Sequence, residues 1–260
     1  MALAVITGAS SGIGREFVKQ LHEKGEADEF WFISRNAEKL EAVRDSLGVR
    51  AEIIAADLTS AEGIEKVRAA LEEKKPRIKY LINASGFGKF GNFSLLSEND
   101  VCGMIDLNVK ALVLITHMCI PYMERGGHVI EMGSGSCFVP MPDFNIYASS
   151  KAFVLHYTKA LKYELIPYGI SATCFCPGWV KTEFFGTAFS VKGARVPKKM
   201  KPMLLPEDVV ARCIKAAKKG KVMCVTNWYT KVQHVLFKIL PDCILTKIWL
   251  GMQTDNTKEG

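Results

Sequence analysis

The chain has 260 residues, 48% of them apolar and 23% charged, with a formal net charge of +7. That balance suits one large α/β domain and excludes a disordered or low-complexity chain. No run reaches the roughly 18 uninterrupted apolar residues that a membrane span needs, and "MALAVITGAS" lacks the basic stretch and apolar core of a leader, so a cytoplasmic location is expected. Eight cysteines lie scattered in apolar stretches without CxxC spacing, and the five histidines form no HExxH; the thiols read as buried and reduced, and no metal site is expected.

"ALAVIT" is a short apolar run that breaks into the glycines of "GASSGIG", and "REFVKQLHEKG" follows with helical spacing. The plan repeats. "EFWFIS" predicts a strand before the helix "NAEKLEAVRDSLG", and "AEIIAAD" a strand before "SAEGIEKVRAALEEK". "IKYLINASG" predicts a strand before one long helix around "NDVCGMIDLNVKALVLITHMCIPYM". "GHVIEMGS" is a fifth strand, "FNIYASSKAFVLHYTKALKYELIPYG" a helix, and "ISATCFCPG" a sixth strand. After Gly178 the pattern is irregular through residue 205, a candidate substrate flap at 183–205, and it resumes with the helix "EDVVARCIKAAKKG" and a seventh strand, "KVMCVT". Strands alternating with helices of this length imply right-handed crossovers, hence a doubly wound parallel sheet in a single domain covering 1–260. Ligands of such sheets bind beyond the carboxyl ends of the strands.

Between Ser190 and Lys221 ten basic residues face only Glu207 and Asp208. Such a patch attracts an anionic substrate, a phosphorylated cofactor or an acidic membrane surface, or is simply a solvated helix face. Nucleic acid is not among the expected partners.

"TGASSGIG" places Gly8, Gly12 and Gly14 after the first strand and at the mouth of a helix, where glycine lets the backbone approach a pyrophosphate and free N–H groups meet its charge. The second strand ends at "ISRN". A NAD-binding chain usually offers a carboxylate to the ribose there; this one has Ser34 and the cationic Arg35, whose guanidinium suits a 2′-phosphate. NADP(H) is therefore the expected cofactor. Tyr147 and Lys151, four residues apart on a predicted helix, share one face, so an ammonium there can favour the ionised phenol.

Taken together, "TGASSGIG", "ADL" at Asp57, "NASG" from Asn83, Asn108 in "LNV", Ser134 in "EMGSGS", "YASSK" and "PGWVKT" are similar in order and spacing to the motifs of short-chain dehydrogenases/reductases, from residue 2 to about 185. The chain most resembles the NADP-dependent hydroxysteroid and acyl reductase-like members. The resemblance implies that Tyr147 is the catalytic acid or base, that Lys151 holds the nicotinamide ribose and lowers the phenol's pKa, and that Ser134 polarises the substrate carbonyl, with Ser136 a rival for that role. Asn108 would anchor a water that links Lys151 to solvent. The cofactor would be held by Gly8, Ser10, Ser11, Gly12, Ile13, Gly14, Arg35, Asp57, Leu58, Asn83, Gly86, Tyr147, Lys151, Pro177, Gly178, Val180 and Thr182. "NASG" departs from the commoner NNAG, and His156 is read as packing. A homodimer or homotetramer is expected.

For the substrate, Phe184, Phe185, Phe189, Met200, Met203, Leu204 and Leu205, with Trp228, Tyr229 and Phe237 of the tail, suggest an apolar, adaptable wall. The expectation is a bulky hydrophobic ketone or secondary alcohol, a steroid or bile acid ahead of a 3-oxoacyl group or another carbonyl. Lys192, Arg195 and Lys198 are placed to favour a carboxylate at its far end. The tail 228–250 is expected to form an amphipathic lid or an oligomer contact rather than an interfacial membrane anchor. A nucleotide-sensing protein without chemistry is the distant alternative.

Overall fold

The run Leu3–Thr7 forms strand β1 with all five residues buried, the unbroken apolar signature of a strand covered on both faces. In the computed structural model, which describes residues 2–255 except the side chains of Trp228, Tyr229, Gln233 and Lys238, β1 is an interior strand, third in a seven-stranded parallel sheet. Beside it lie β2 (Glu29–Ser34) and β3 (Arg50–Ala55) on one side. On the other lie β4 (Ile78–Asn83), β5 (Met123–Met132), β6 (Ser171–Cys176) and β8 (Met223–Val225). The order 3-2-1-4-5-6-8 reverses direction between β1 and β4, opening a crevice above their carboxyl ends.

Helices cover both faces. On one, α1 (Gly12–Glu23), α2 (Ala37–Leu47) and α8 (Pro206–Lys218) bury Phe17, Leu21, Leu40, Val210 and Ile214 against the sheet. On the other, α3 (Ala61–Lys74), α5 (Leu112–Cys119) and α6 (Asn145–Glu164) bury Val67, Leu71, Ile115 and Leu161. Asn36 and Ser60 cap α2 and α3 by accepting from Lys39 N and Gly63 N, as expected of those residue types at helix starts.

The long helix expected after β4 is divided. It runs as α4 (Glu98–Ile105), a π-helical stretch Asp106–Ala111, and α5. By length and composition the run Glu98–Tyr122 would suit a membrane span, yet its inner face is core: Met104, Ala111, Ile115 and Cys119 are fully buried.

The region after β6 is more regular than its sequence suggests. It holds α7 (Phe184–Ala188) and β7 (Arg195–Pro197), and Leu204 ties it back through hydrogen bonds with the backbone of Trp179 and Lys181. Beyond β8 come α9 (Trp228–Ile239), a break at Pro241, α10 (Asp242–Gly251) and β9 (Gln253–Asp255), which pairs antiparallel with β7.

Candidate active site

A cavity of about 1360 Å³ opens along the crevice, from the loop after β1 to the inner faces of α9 and α10. The end beside the loop after β1 is made of backbone. Gly8 adopts φ +69°, and a β-carbon on Gly14 would lie 2.1 Å from the Gly8 carbonyl oxygen, so this turn admits no side chain at Gly14. Ser10, Ser11 and Ile13 line the same cradle, and the first turn of α1 carries no acidic residue to compete for its free N–H groups. Thr182 lies across Gly12, where a β-carbon would meet its side chain at 3.4 Å. Ser10 Oγ and Ser34 Oγ are 3.2 Å apart.

At the edge of this end Arg35 and Lys39 stand exposed, both lining the cavity. Lys39 was not anticipated, although its place one turn into α2 puts it on the Arg35 side. Asp57 caps its own strand end, accepting from Thr59 N at 3.0 Å and Thr59 Oγ1 at 2.7 Å. Those bonds, the backbone one foremost, together with the charge of Arg35 hold its carboxyl below the ordinary range against the opposing effect of burial. Leu58, Gly86, Pro177, Gly178 and Val180 also line the cavity.

At the centre, Tyr147 and Lys151 project from α6, both buried. Lys151 Nζ donates to Met132 O at 2.8 Å and sits 5.6 Å from the centroid of the Tyr147 ring. This corrects the expected electrostatics. The ammonium lies over the ring face rather than on the hydroxyl, and burial pushes the phenol up to about 12, opposed by a hydrogen bond with Ser134. Burial likewise pushes Lys151 down to about 8. Ser134 Oγ accepts from Ser136 N at 3.1 Å, and the buried Ser136 Oγ has no partner among the described residues, so Ser134 is the hydroxyl placed beside the phenol.

Asn108 is fully buried in the π-helical stretch. It brackets Phe87, accepting from its N at 3.0 Å and donating to its O at 2.8 Å, and it donates to Ser150 Oγ at 3.2 Å. Ser150 in turn donates to Tyr147 O at 2.7 Å. A β-carbon on Gly86 would come within 2.8 Å of Asn108 Oδ1 and 3.3 Å of Lys151 Nζ, which shows how tightly these three meet. π-helical turns recur at functional sites because the extra residue re-aims a side chain. Asn83 turns the other way: its Nδ2 donates to Thr116 Oγ1 at 2.8 Å and to Glu131, so its side chain is committed to the core behind the cavity wall.

Glu131 is a second residue that motif reading missed. It is fully buried on β5, accepts from Thr116 Oγ1 at 2.7 Å, and is pushed up to about 7 by burial, against the pull of Thr116, Asn83 and the Lys151 charge. A carboxylate inside the otherwise apolar strand "HVIEM" was the available signal.

The far end is aromatic. Phe144 stacks on Tyr147 at 4.5 Å and on Phe90 at 3.9 Å, Phe90 faces Trp249 at 6.4 Å, and Phe184 leans on Tyr147 at 5.5 Å. Phe184, Phe185 and Phe237 line the cavity as expected, joined by Val139, Met141 and Trp179. Phe189 packs behind the wall against Phe90 and Phe185, Leu204 joins the core, Met203 and Leu205 point to solvent, and Met200 is half-buried away from the cavity. Trp228 and Tyr229 lie outside the described side chains. Lys192, Arg195 and Lys198 do not line it either. Arg195 donates to Leu250 O, and Lys201 is the basic residue of that segment at the cavity. His156 is exposed, not packed.

Residues 2–192 match the family model described as short chain dehydrogenase. Among curated proteins the chain is 35% identical over 189 residues to the human "Inactive hydroxysteroid dehydrogenase-like protein 1"; the match covers 69% of this chain and only 56% of that relative's length. It is 32% identical over 188 residues to the sulfoacetaldehyde reductase of Chromohalobacter salexigens, covering 69% of this chain and 72% of the relative. Among solved structures, a short-chain dehydrogenase from Sphingobium yanoikuyae in complex with NADPH superposes with a TM-score of 0.79 at 25% identity, covering 94% of this chain and 95% of that one.

Proposed function

The chain belongs to the short-chain dehydrogenase/reductase family, and from that premise we propose that it is an NADP(H)-dependent oxidoreductase that interconverts a secondary alcohol and a ketone on a bulky hydrophobic substrate. The observation that carries this reading is one continuous cavity with a glycine cradle at one end, Tyr147, Ser134 and Lys151 at its centre, and an aromatic wall at the other. The cradle fits a dinucleotide, because Gly14 and Gly86 leave room for atoms that any β-carbon would displace. Arg35 and Lys39 would meet a 2′-phosphate, while Lys151 would reach the ribose. The NADPH complex of the Sphingobium structure supports the same choice.

When bound, the cofactor supplies or accepts the hydride at the carbonyl carbon. The chain's part is the oxygen. As charge develops there, Ser134 donates a hydrogen bond and Tyr147, itself buried, delivers its proton; a donor shielded from solvent counts for more than one in water. Burial keeps the phenol protonated well above neutral pH, so it starts reduction as the acid. Asn108 positions rather than reacts: through Phe87 and Ser150 it holds the loop and helix that frame Tyr147.

A hydroxysteroid or bile acid is the proposed substrate, ahead of a 3-oxoacyl group, because the far wall is made of rings and aliphatic side chains. One observation favours a second reading, a nucleotide-binding protein without turnover: the human relative is named inactive. Here Tyr147, Ser134 and Lys151 are all present and assembled, which favours chemistry. A screen of NADPH and NADH oxidation against steroid, bile acid, 3-oxoacyl and small hydrophilic carbonyls decides. Turnover is expected with NADPH and a steroid or bile acid. Higher catalytic efficiency on small hydrophilic carbonyls than on all the others would overturn the substrate class, and no turnover with tight NADPH binding would establish the second reading.

A further inference from the structure

The helices that close the aromatic end also present a second apolar face, turned outward. On α9, Val232, Val235, Leu236 and Ile239 recur at helical spacing and are 47%, 55%, 45% and 72% exposed. On α10 the division is sharper. Leu245 and Trp249 are buried toward the cavity, whereas Ile244 and Ile248, one position before each, are exposed. Val235, Ile239 and Ile244 do not line the cavity, so this part of the stripe is surplus to closing it. An exposed apolar stripe of this length is unusual for a surface that meets only water.

Its borders are predominantly basic. The segment 190–201 holds Lys192, Arg195, Lys198, Lys199 and Lys201 and no acidic residue. The structure fastens this segment to the exposed end of α10: Lys198 N donates to Met252 O at 2.9 Å, and β7 pairs with β9. Lys231 and Lys247 are exposed on the two helices themselves, where Asp242 is the single acid.

We infer that the outer face of α9 and α10, with its basic border, is a docking surface for an anionic phospholipid membrane. The apolar stripe would enter the boundary between headgroups and acyl chains, while the lysines pair with anionic headgroups. A second copy of this chain fits less well, because a two-fold contact sets a patch against itself and would bring these like charges together. The sequence alone favours a lid or an oligomer contact for this segment; the outward-facing residues are what point to a membrane. Val232, Leu236, Ile248 and Met252 belong both to the cavity lining and to the outer surface, so the mouth opens where lipid would lie. Docking does not depend on the proposed reaction. If that reaction acts on a lipid-soluble ketone, the substrate would be met at the bilayer.

The test is flotation of the full chain with phosphatidylcholine vesicles, with and without phosphatidylserine, at low and high salt. The expected result is association with the phosphatidylserine vesicles that weakens with salt. The double variant Val235→Asp/Ile239→Asp should reduce it by about tenfold or more, since each removes an exposed apolar anchor, while melting temperature and NADPH affinity stay unchanged. Lys198→Glu/Lys199→Glu, on exposed side chains, should reduce it roughly tenfold or more through lost headgroup attraction and serves if the first variant fails to fold. Absence of wild-type association with anionic vesicles overturns the inference. So does a result in which Val235→Asp/Ile239→Asp dissociates a dimer while vesicle binding never occurs, which would assign the stripe to a second copy.

Discussion

The two ends of the cavity are built from different materials. At the nucleotide end the determining atoms are backbone: a cradle in which Gly14 cannot carry a β-carbon, a helix start, and a loop whose Gly86 and Gly88 lie flat against Asn108 and the Tyr147 ring. At the aromatic end, the proposed substrate site, they are side chains, stacked from Tyr147 through Phe144 and Phe90 toward Trp249. A backbone site tolerates little change because each position excludes atoms. A side-chain site can repack, because rings and aliphatic chains of similar volume substitute for one another at modest cost.

The largest effect is expected where the two ends meet. Tyr147→Phe should lower kcat by about 10²- to 10⁴-fold, the usual worth of a positioned proton donor, with NADPH affinity retained in a fluorescence titration. Equal turnover in the variant would remove Tyr147 from the mechanism and with it the idea of a shared centre.

Next comes Glu131, behind the wall. Burial raises its folded-state value to about 7 from 4.5, so between those values the folded chain keeps a proton that the unfolded chain has released. Stability therefore falls as pH rises through that window, by on the order of 3 kcal/mol. Lys151, depressed to about 8 from 10.5, acts in the opposite sense at higher pH, where stability rises from about 8 to 10.5. Glu131→Gln should melt higher than wild type above pH 7, with the gap closing toward pH 4.5. A gap that is constant with pH would mean that the carboxyl does not titrate as described.

At the nucleotide edge, Arg35→Asp should weaken NADPH binding by about 1.5 to 3 kcal/mol through loss of a charge-assisted pair. NADH binding should hardly move. Equal losses for both nucleotides would place Arg35 outside phosphate recognition.

The smallest effect is expected at the wall. Phe184→Leu keeps the site apolar and should shift KM for a bulky ketone by roughly tenfold or less. A collapse of kcat there would show the aromatic end to be as exacting as the glycine end, and the contrast between them would fail.

The same contrast explains what could be read without coordinates. The seven strands, their helices and the cradle were legible, because glycine spacing and strand-helix alternation are local patterns that the backbone itself obeys. Arg35 was legible from its place at the end of a strand. What escaped depends on which way a side chain turns. Asn83 sits in a recognisable motif, yet Thr116 and Glu131 draw it into the core. Met203 and Leu205 have the composition of a pocket wall but point to solvent, because the bonds of Leu204 to Trp179 and Lys181 orient that stretch. The π-helical stretch at 106–111 leaves no mark in hydrophobic spacing, and the pairing of β7 with β9 joins segments some sixty residues apart.

That pairing has a consequence for how the molecule comes apart. Three residue pairs fasten the C-terminal segment to β7, and the Trp249 and Gln253 side chains, bonded to Pro142 O, fasten it to the loop ahead of α6. In the parallel sheet the β1–β2, β2–β3 and β5–β6 ladders hold five or six pairs each. A unit secured by so few bonds opens below the free energy of global unfolding. Amide hydrogens of residues 195–197 and 253–255 should therefore exchange well before those of β1 and β4, and a ligand lodged against Trp249 should slow them first.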